Sequence, residues 1–292
     1  MSNSTHVNAL VDKLRDIPTL SVVVTKVMEL VNNPKTSAPQ IADILKRDQV
    51  LTAKVLRLVN SSFYNVSTEI TDVSKALGFL GFNTISVLVL GTSVFSAFDL
   101  QAAPFFDVRE FWRHSLAVAL AGELIAKKVR HPRPEDCFTC GLLHDIGKIA
   151  LFRVSRDDLK AVVDKARLEG KSFLAAETEL GLPGHTILGE RLAERWQLPV
   201  VARKTIRYHH RDIEHMESIF PAHKPTIMIA TIANVLCKRG GISLACDLER
   251  PEYPANYLNA LNLDTEALAE IEARMPEEME RAEAFLNSAR GG

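Results

Sequence analysis

The chain has 292 residues, 47% of them hydrophobic and 24% charged, enough to bury a sizeable core in one large or two ordinary domains. With 35 Lys plus Arg against 36 Asp plus Glu, its formal charge is -1, so no basic field gathers a phosphate backbone and nucleic-acid binding is not indicated. Four cysteines are too few for a disulfide framework, and MSNSTHVNALVDKLRDIP lacks the charged-then-apolar pattern of a signal peptide, so a reducing cytoplasm is expected.

From the N-terminus onward, apolar residues recur at helical intervals, as in Val23, Val27, Leu30 and Val31, and again in Ile41, Ile44 and Leu45. No alternating pair of runs is joined by Asn-Gly or Asp-Gly, so the expected fold is all-α, an N-terminal helical bundle packed on a second helical core. Ser37-Ala38-Pro39-Gln40 reads as a capping box, Ser155 to Asp158 as a looser one, and Asp72 and Asp264 stand before apolar-periodic segments. The run Ala76 to Phe98 has no charge and is long enough to span a bilayer. Its glycines and hydroxyl residues dilute it, and Asn83 can cap a new helix after the LGF turn, so it reads as two buried helices and no membrane partner is expected.

Domain boundaries rest on local character because the chain has no low-complexity linker or repeat. DLQAAPFFDVRE contains Pro and no sustained period, which places a break near 99 to 110. The expected division is 1–100, a bundle of about five short helices; 101–240, where His114, His144, His185, His209 and His210 accumulate; and 241–292, a solvated amphipathic helical extension.

His144 and Asp145, adjacent in GLLHDIGK, offer an imidazole and a carboxylate to a single divalent cation. Glu110 and His114 are four apart, so on a helix they share a face. His209 and His210 form a second adjacent pair, and His185 opens HTILGERLAERW. A single helical histidine is most often a packed or surface residue; only convergence in space makes a site.

The order His, His-Asp-Ile-Gly-Lys, then further histidines is similar to the HD superfamily, whose members gather such residues around metal to hydrolyse phosphate esters. The N-terminal half narrows the resemblance to the HDOD group, through Ile17-Pro18, Asp48, Asn60-Ser61 and the Ala76 to Gly81 turn. It runs from about residue 15 to about 240. It implies a signalling module with protein partners and a nucleotide messenger among its possible ligands. Glu110, His114, His144, Asp145, Lys148, His185, His209 and His210 match the metal-centre pattern of the HD-GYP relatives, which split cyclic di-GMP. Two departures stand out: no Gly-Tyr-Pro follows the His pair, and Asn234 occupies the matching place of the Asp that closes the site in HD enzymes. An amide can coordinate but brings no negative charge.

The expectation is therefore a regulatory protein with an HD-like metal site and weak or no hydrolase activity. The ligand set is His114, His144, Asp145, His185, His209 and His210, with Glu110 and Asn234 at the edge and iron, manganese or zinc bound. The alternative is a metal-dependent phosphohydrolase or cyclic-dinucleotide phosphodiesterase in which Lys148 steadies the phosphate; a third reading is a scaffold with an empty site. Input would come from another protein bound at the surface between the two halves. Cys137 and Cys140 lack the partners of a zinc or redox motif, and Phe111, Trp112 and Trp196 are expected to be core anchors.

Overall fold

In the computed structural model the described residues are 2–290, apart from 32, 34, 99–102, 217–218, 245 and 248. Among them there are helices and no strands beyond one isolated bridge, Ala103 with Phe106. In chain order the α-helices are α1 (Ser2–Lys13), α2 (Val22–Val31), α3 (Ala38–Leu45), α4 (Gln49–Val59), α5 (Val73–Ala97), α6 (Val108–Lys128), α7 (Pro134–Leu143), α8 (Ile146–Val154), α9 (Arg156–Glu169), α10 (Phe173–Glu179), α11 (His185–Arg195), α12 (Val200–Tyr208), α13 (Lys224–Arg239), α14 (Ala255–Leu261) and α15 (Thr265–Arg290).

The caps explain many of these boundaries. Asp48, Asp72 and Asp107 each accept backbone N–H groups from the first turn of the following helix, as an N-terminus with four unbonded donors requires. The Ser37 N–H donates to Gln40 Oε1 at 2.8 Å, the Asp158 N–H reaches Ser155 Oγ at 3.4 Å, and the Ala267 N–H donates to Asp264 Oδ1 at 2.7 Å. The expected helix starts are therefore where the sequence puts them.

The chain forms two compact units, 1–18 with 100–276 and 19–99 with 277–292. This differs from the boundaries drawn from sequence at both ends. Residues 1–18 lie with the histidine-bearing half because Arg195 donates to the carbonyls of Leu14 and Ile17 at 2.6 and 2.5 Å, and the Trp196 indole to that of Pro18 at 3.0 Å. At the other end the division falls within α15, which continues through an internal Pro276.

In the smaller unit, α2, α3 and α4 each contact α5 and bury Val24, Val27, Ile41, Leu45, Val55 and Leu58. The uncharged run breaks at Gly81, whose φ of 80° and ψ of 171° interrupt α5; a left-handed φ of this kind suits glycine because it has no Cβ. The break falls two residues before Asn83. By length and composition α5 could cross a membrane, with a mean hydropathy of 1.7, but half of that window is buried inside the protein.

In the larger unit, α6 packs along α7 and α13, and α8 against α11. Phe111, Trp112 and Trp196 are buried there as apolar anchors. Gly141 and Gly147 permit the closest approaches. A Cβ at Gly141 would come within 2.7 Å of the Ala119 Cα, and one at Gly147 would overlap the His185 carbonyl oxygen. The glycine of His-Asp-Ile-Gly-Lys thus sets how near α8 lies to α11, and with it how near Asp145 lies to His185.

Candidate metal centre

Asp145 is fully buried just before α8 and lies at the middle of the site. Its Oδ1 is 3.3 Å from His185 Nε2, at the start of α11, and 3.5 Å from His209 Nε2, just after α12. Its Oδ2 is 3.4 Å from His144 Nε2 and 3.8 Å from His114 Nε2, the latter on α6. His210 joins the first side, its Nε2 lying 3.2 Å from His185 Nε2. Two groups of ligand-type atoms thus share one carboxylate: Asp145 with His185, His209 and His210, and Asp145 with His114 and His144.

Four imidazoles are oriented from behind. His114 Nδ1 lies 2.8 Å from the Ile242 carbonyl, His144 Nδ1 2.7 Å from the Gly141 carbonyl, and His209 Nδ1 3.0 Å from the Ile206 carbonyl. His185 Nδ1 lies 2.7 Å from the buried Glu177 carboxylate, which also accepts the His185 backbone N–H. Each of these oxygens can only accept, so each Nδ1 carries the hydrogen. In the neutral ring that leaves the Nε2 lone pair facing Asp145, the arrangement in which histidine binds metal.

The residues present fit a cation. Buried atoms with no hydrogen-bond partner include His144 Nε2, His209 Nε2, Asp145 Oδ1, Asn234 Oδ1 and Asp247 Oδ1. Buried polar atoms are otherwise nearly always paired, because an unmade bond costs about 1–3 kcal/mol. Around Asp145, the open Oδ1 and the open Nε2 atoms of His144 and His209 belong to a donor set of mixed nitrogen and oxygen, suited to iron, manganese or zinc.

The electrostatics divide the rings, with His114, His209 and His210 on one side and His185 on the other. Burial lowers the basicity of His209 to about 4 and of His114 to about 3, with the nearby His144 adding to both effects, and His210 is held well below its ordinary value. These rings are neutral near pH 7, as ligands must be. At His185 burial also disfavours the charge, but Glu177 and Asp145 outweigh it and raise the ring to about 9. Burial opposes the Asp145 charge as well, yet Lys148 and then His144 hold the carboxyl well below its usual range.

Lys148 is 1% exposed. Its Nζ donates to Asp145 Oδ2 at 2.6 Å, lies 3.4 Å from Asp247 Oδ2 and sits 4.9 Å from the centre of the Phe173 ring. Asp247 is in turn 2.8 Å from the Nζ of buried Lys238. Burial works against the Asp247 charge, and the two lysines overcome it, holding the carboxyl at about 2.

Of the residues named from sequence, His114, His144, Asp145, His185, His209 and His210 come together, and Lys148 stands among them. Asn234, buried on α13, lines a cleft of about 230 Å3 beside His209 and His210, together with Lys238, Glu249, Glu252 and Tyr257. Glu110 belongs to neither ligand group. It sits a full turn before His114, in the first turn of α6, where its backbone N–H reaches Asp107 Oδ1; one turn of helix moves a side chain about 5.4 Å along the axis. Glu177, Asp247, Lys238 and the Ile242 carbonyl were not foreseen. Cys137, Cys140, Cys237 and Cys246 are free and buried, and burial pushes the Cys140 thiol up to about 12, which leaves it unreactive.

The HDOD domain family matches residues 17–212, and the chain belongs to that family. It is similar to an HDOD domain protein of unknown function from Geobacter sulfurreducens, at 25% identity and a TM-score of 0.76 over 95% of this chain and 99% of that one. It is also similar to a protein assigned to the phosphohydrolases from Shewanella amazonensis, at 26% identity and a TM-score of 0.71 over 96% and 99%. A Treponema pallidum protein is 25% identical over 228 residues, 78% of this chain and 43% of that protein. The chain spans less than half the length of the curated relatives it matches.

Proposed function

We infer that this chain is an HDOD-type signal-transduction module of the cytoplasm, carrying a divalent iron, manganese or zinc ion and having weak or no hydrolase activity. The observation that carries the reading is the cluster around Asp145: four buried imidazoles with their Nδ1 hydrogens committed elsewhere and their Nε2 atoms within 3.8 Å of one carboxylate. His185, His209, His210 and Asp145 would hold an ion on one side, and His114 and His144 supply nitrogens on the other. Such an ion, when bound, supplies Lewis acidity and a water of lowered pKa.

Three features favour binding over turnover. Lys148, the cation best placed to meet a phosphate, is committed to Asp145 and Asp247. Asn234 lines the cleft with an amide where the HD resemblance calls for a carboxylate. The cleft sets Asp212, Glu249 and Glu252 against Arg211 and Lys238, a lining without the excess of positive charge that would draw in an anionic substrate. A module of this kind transmits a signal by binding, so its partners would be signalling proteins, with a nucleotide messenger as a candidate small ligand.

The second reading, a metal-dependent phosphohydrolase or cyclic-dinucleotide phosphodiesterase, draws on the open Nε2 atoms beside that cleft. Elemental analysis of the purified chain, followed by assays on bis(4-nitrophenyl) phosphate and cyclic di-GMP with added manganese or iron, separates the two. Bound metal with turnover at background is the expected result. Turnover well above background that Asp145→Ala abolishes would establish the enzyme instead.

A further inference from the structure

Of the five imidazoles at the centre, His210 is held differently from the rest. His114, His144, His185 and His209 each have an oxygen behind Nδ1. His210 has none among the described residues; its hydrogen-bond contact is the 3.2 Å approach of Nε2 to His185. The direction of its ring therefore follows from the backbone that carries it.

That backbone is a turn with little to lean on. α12 ends at Tyr208, and His209, His210, Arg211 and Asp212 all line the cleft of about 230 Å3, so one side of the turn has no packing against it. Carbonyls at the C-terminal end of a helix have no partners within it. Here two of the turn's carbonyls are taken by hydroxyls from later in the chain. Thr231 Oγ1, on α13, lies 2.9 Å from the His209 carbonyl oxygen and 3.0 Å from that of Ile227, and shares its hydrogen between them. The Tyr257 hydroxyl, on α14, donates to the Arg211 carbonyl. Tyr257 is 1% exposed and its backbone N–H donates to the Pro254 carbonyl at 2.9 Å, so this hydroxyl comes from a buried, anchored ring. His210 stands between the two bonded carbonyls.

Resting on the metal reading above, we propose that Tyr257, together with Thr231, is a positioning residue of the metal centre. The two hydroxyls clamp the turn from His209 to Arg211 at both ends and hold His210 in the ligand group it shares with Asp145, His185 and His209. Tyr257 lies beyond residues 17–212, where the family matches, so this support comes from the chain's C-terminal segment.

The test is the zinc affinity of the full-length chain, read by competition with a chromophoric chelator. Tyr257→Phe removes one oxygen and keeps the ring, and affinity should fall about tenfold or more, as when a partner that orients a ligand is lost. Thr231→Val should act in the same direction, while Thr231→Ser, which keeps the hydroxyl, should bind as the wild type does. The control is Tyr253→Phe, whose hydroxyl has no hydrogen-bond partner; it should change affinity less than about threefold, or about 0.7 kcal/mol. A double-mutant cycle then shows through which ring Tyr257 acts. In His210→Ala, which keeps Asp145, His185 and His209 as donors, Tyr257→Phe should cost nothing further. A folded Tyr257→Phe that binds zinc like the wild type, or a loss undiminished in His210→Ala, overturns the inference and leaves the metal reading intact. If Tyr257→Phe does not fold, the same cycle on Thr231→Val decides by the same two outcomes. No zinc bound by the wild type removes the metal reading and this inference with it.

Discussion

The two compact units are built from the same material, amphipathic helices with capped starts, yet they bury very different things. Among the described residues, the smaller unit's buried polar side chains are Ser61, Ser86 and Thr92, all neutral and able to bond their own helix. The larger unit buries His114, His144, Asp145, Lys148, Glu177, His185, His209, Lys238 and Asp247. Buried charge is costly unless paired, and replacing such pairs with apolar residues is often neutral or stabilising. A core that retains nine ionisable side chains where its neighbour retains none has traded stability for a site.

The comparison is broken most forcefully at Asp145. Asp145→Ala leaves Lys148 with only the more distant Asp247, an uncompensated buried charge that costs about 3–5 kcal/mol. Urea unfolding should show that loss, and metal binding should vanish with it. A variant that unfolds like the wild type would mean the network is not under the electrostatic tension described.

Gly147→Ala attacks the same unit through its backbone. The new Cβ would run into the His185 carbonyl, so α8 and α11 must separate, at about 1–3 kcal/mol for overpacking. Metal affinity should fall even if the fold survives, because Asp145 and His185 move apart. Thermal unfolding with and without zinc reads both effects.

Adding metal sharpens the contrast further. Saturation at 100 times the dissociation constant stabilises the binding unit by about 2.7 kcal/mol. Val55→Ala, in the smaller unit's core, should destabilise by about 1–3 kcal/mol by the cavity it leaves. Its hydrogen-exchange protection should ignore metal where that of α11 and α12 rises. Asn234→Asp restores an anionic donor beside the His209–His210 pair and should tighten the ion by about tenfold, or about 1.4 kcal/mol, read by competition with a chelator.

The smallest effect belongs to the Asp72 cap. The N–H of Ser74 holds its carboxyl below the ordinary 3.8. A depressed folded value means the contribution is complete above pH 3.8 and declines as pH falls below it. Asp72→Ala should cost about 1 kcal/mol at neutral pH, and the difference from wild type should shrink in acid. A difference that persists unchanged at pH 3 would show that the carboxylate is not what caps α5.

Helical class, cap positions and the converging histidines were legible because each leaves a local trace: a period, a Ser or Asp before an apolar run, a ligand-type pair. The partition of the chain was not. Residues 1–18 read like the helices that follow them, and only Arg195 and Trp196, far along the sequence, show where they belong. Glu110, expected at the edge of the site from its spacing to His114, lies outside the two groups of ligand-type atoms gathered around Asp145. Glu177 and Asp247 were silent in the sequence. A lone carboxylate in Ala-Glu-Thr-Glu or Cys-Asp-Leu has no motif, and its role exists only once His185 or Lys148 is beside it.

The grip of Arg195 and Trp196 on the carbonyls of Leu14, Ile17 and Pro18 also bears on how the chain is made. Ile17 and Pro18 meet these partners only after 178 more residues have been added, and the whole smaller unit apart from its last helical turns is synthesised in between. That unit can collapse early, from contacts close in sequence, while the histidine-bearing half waits with residues 14–18 unplaced. A nascent chain stalled before residue 195 therefore carries a bundle of settled helices and, at Leu14 to Pro18, carbonyls still without their hydrogen-bond donors, which is where a chaperone or a protease would first take hold.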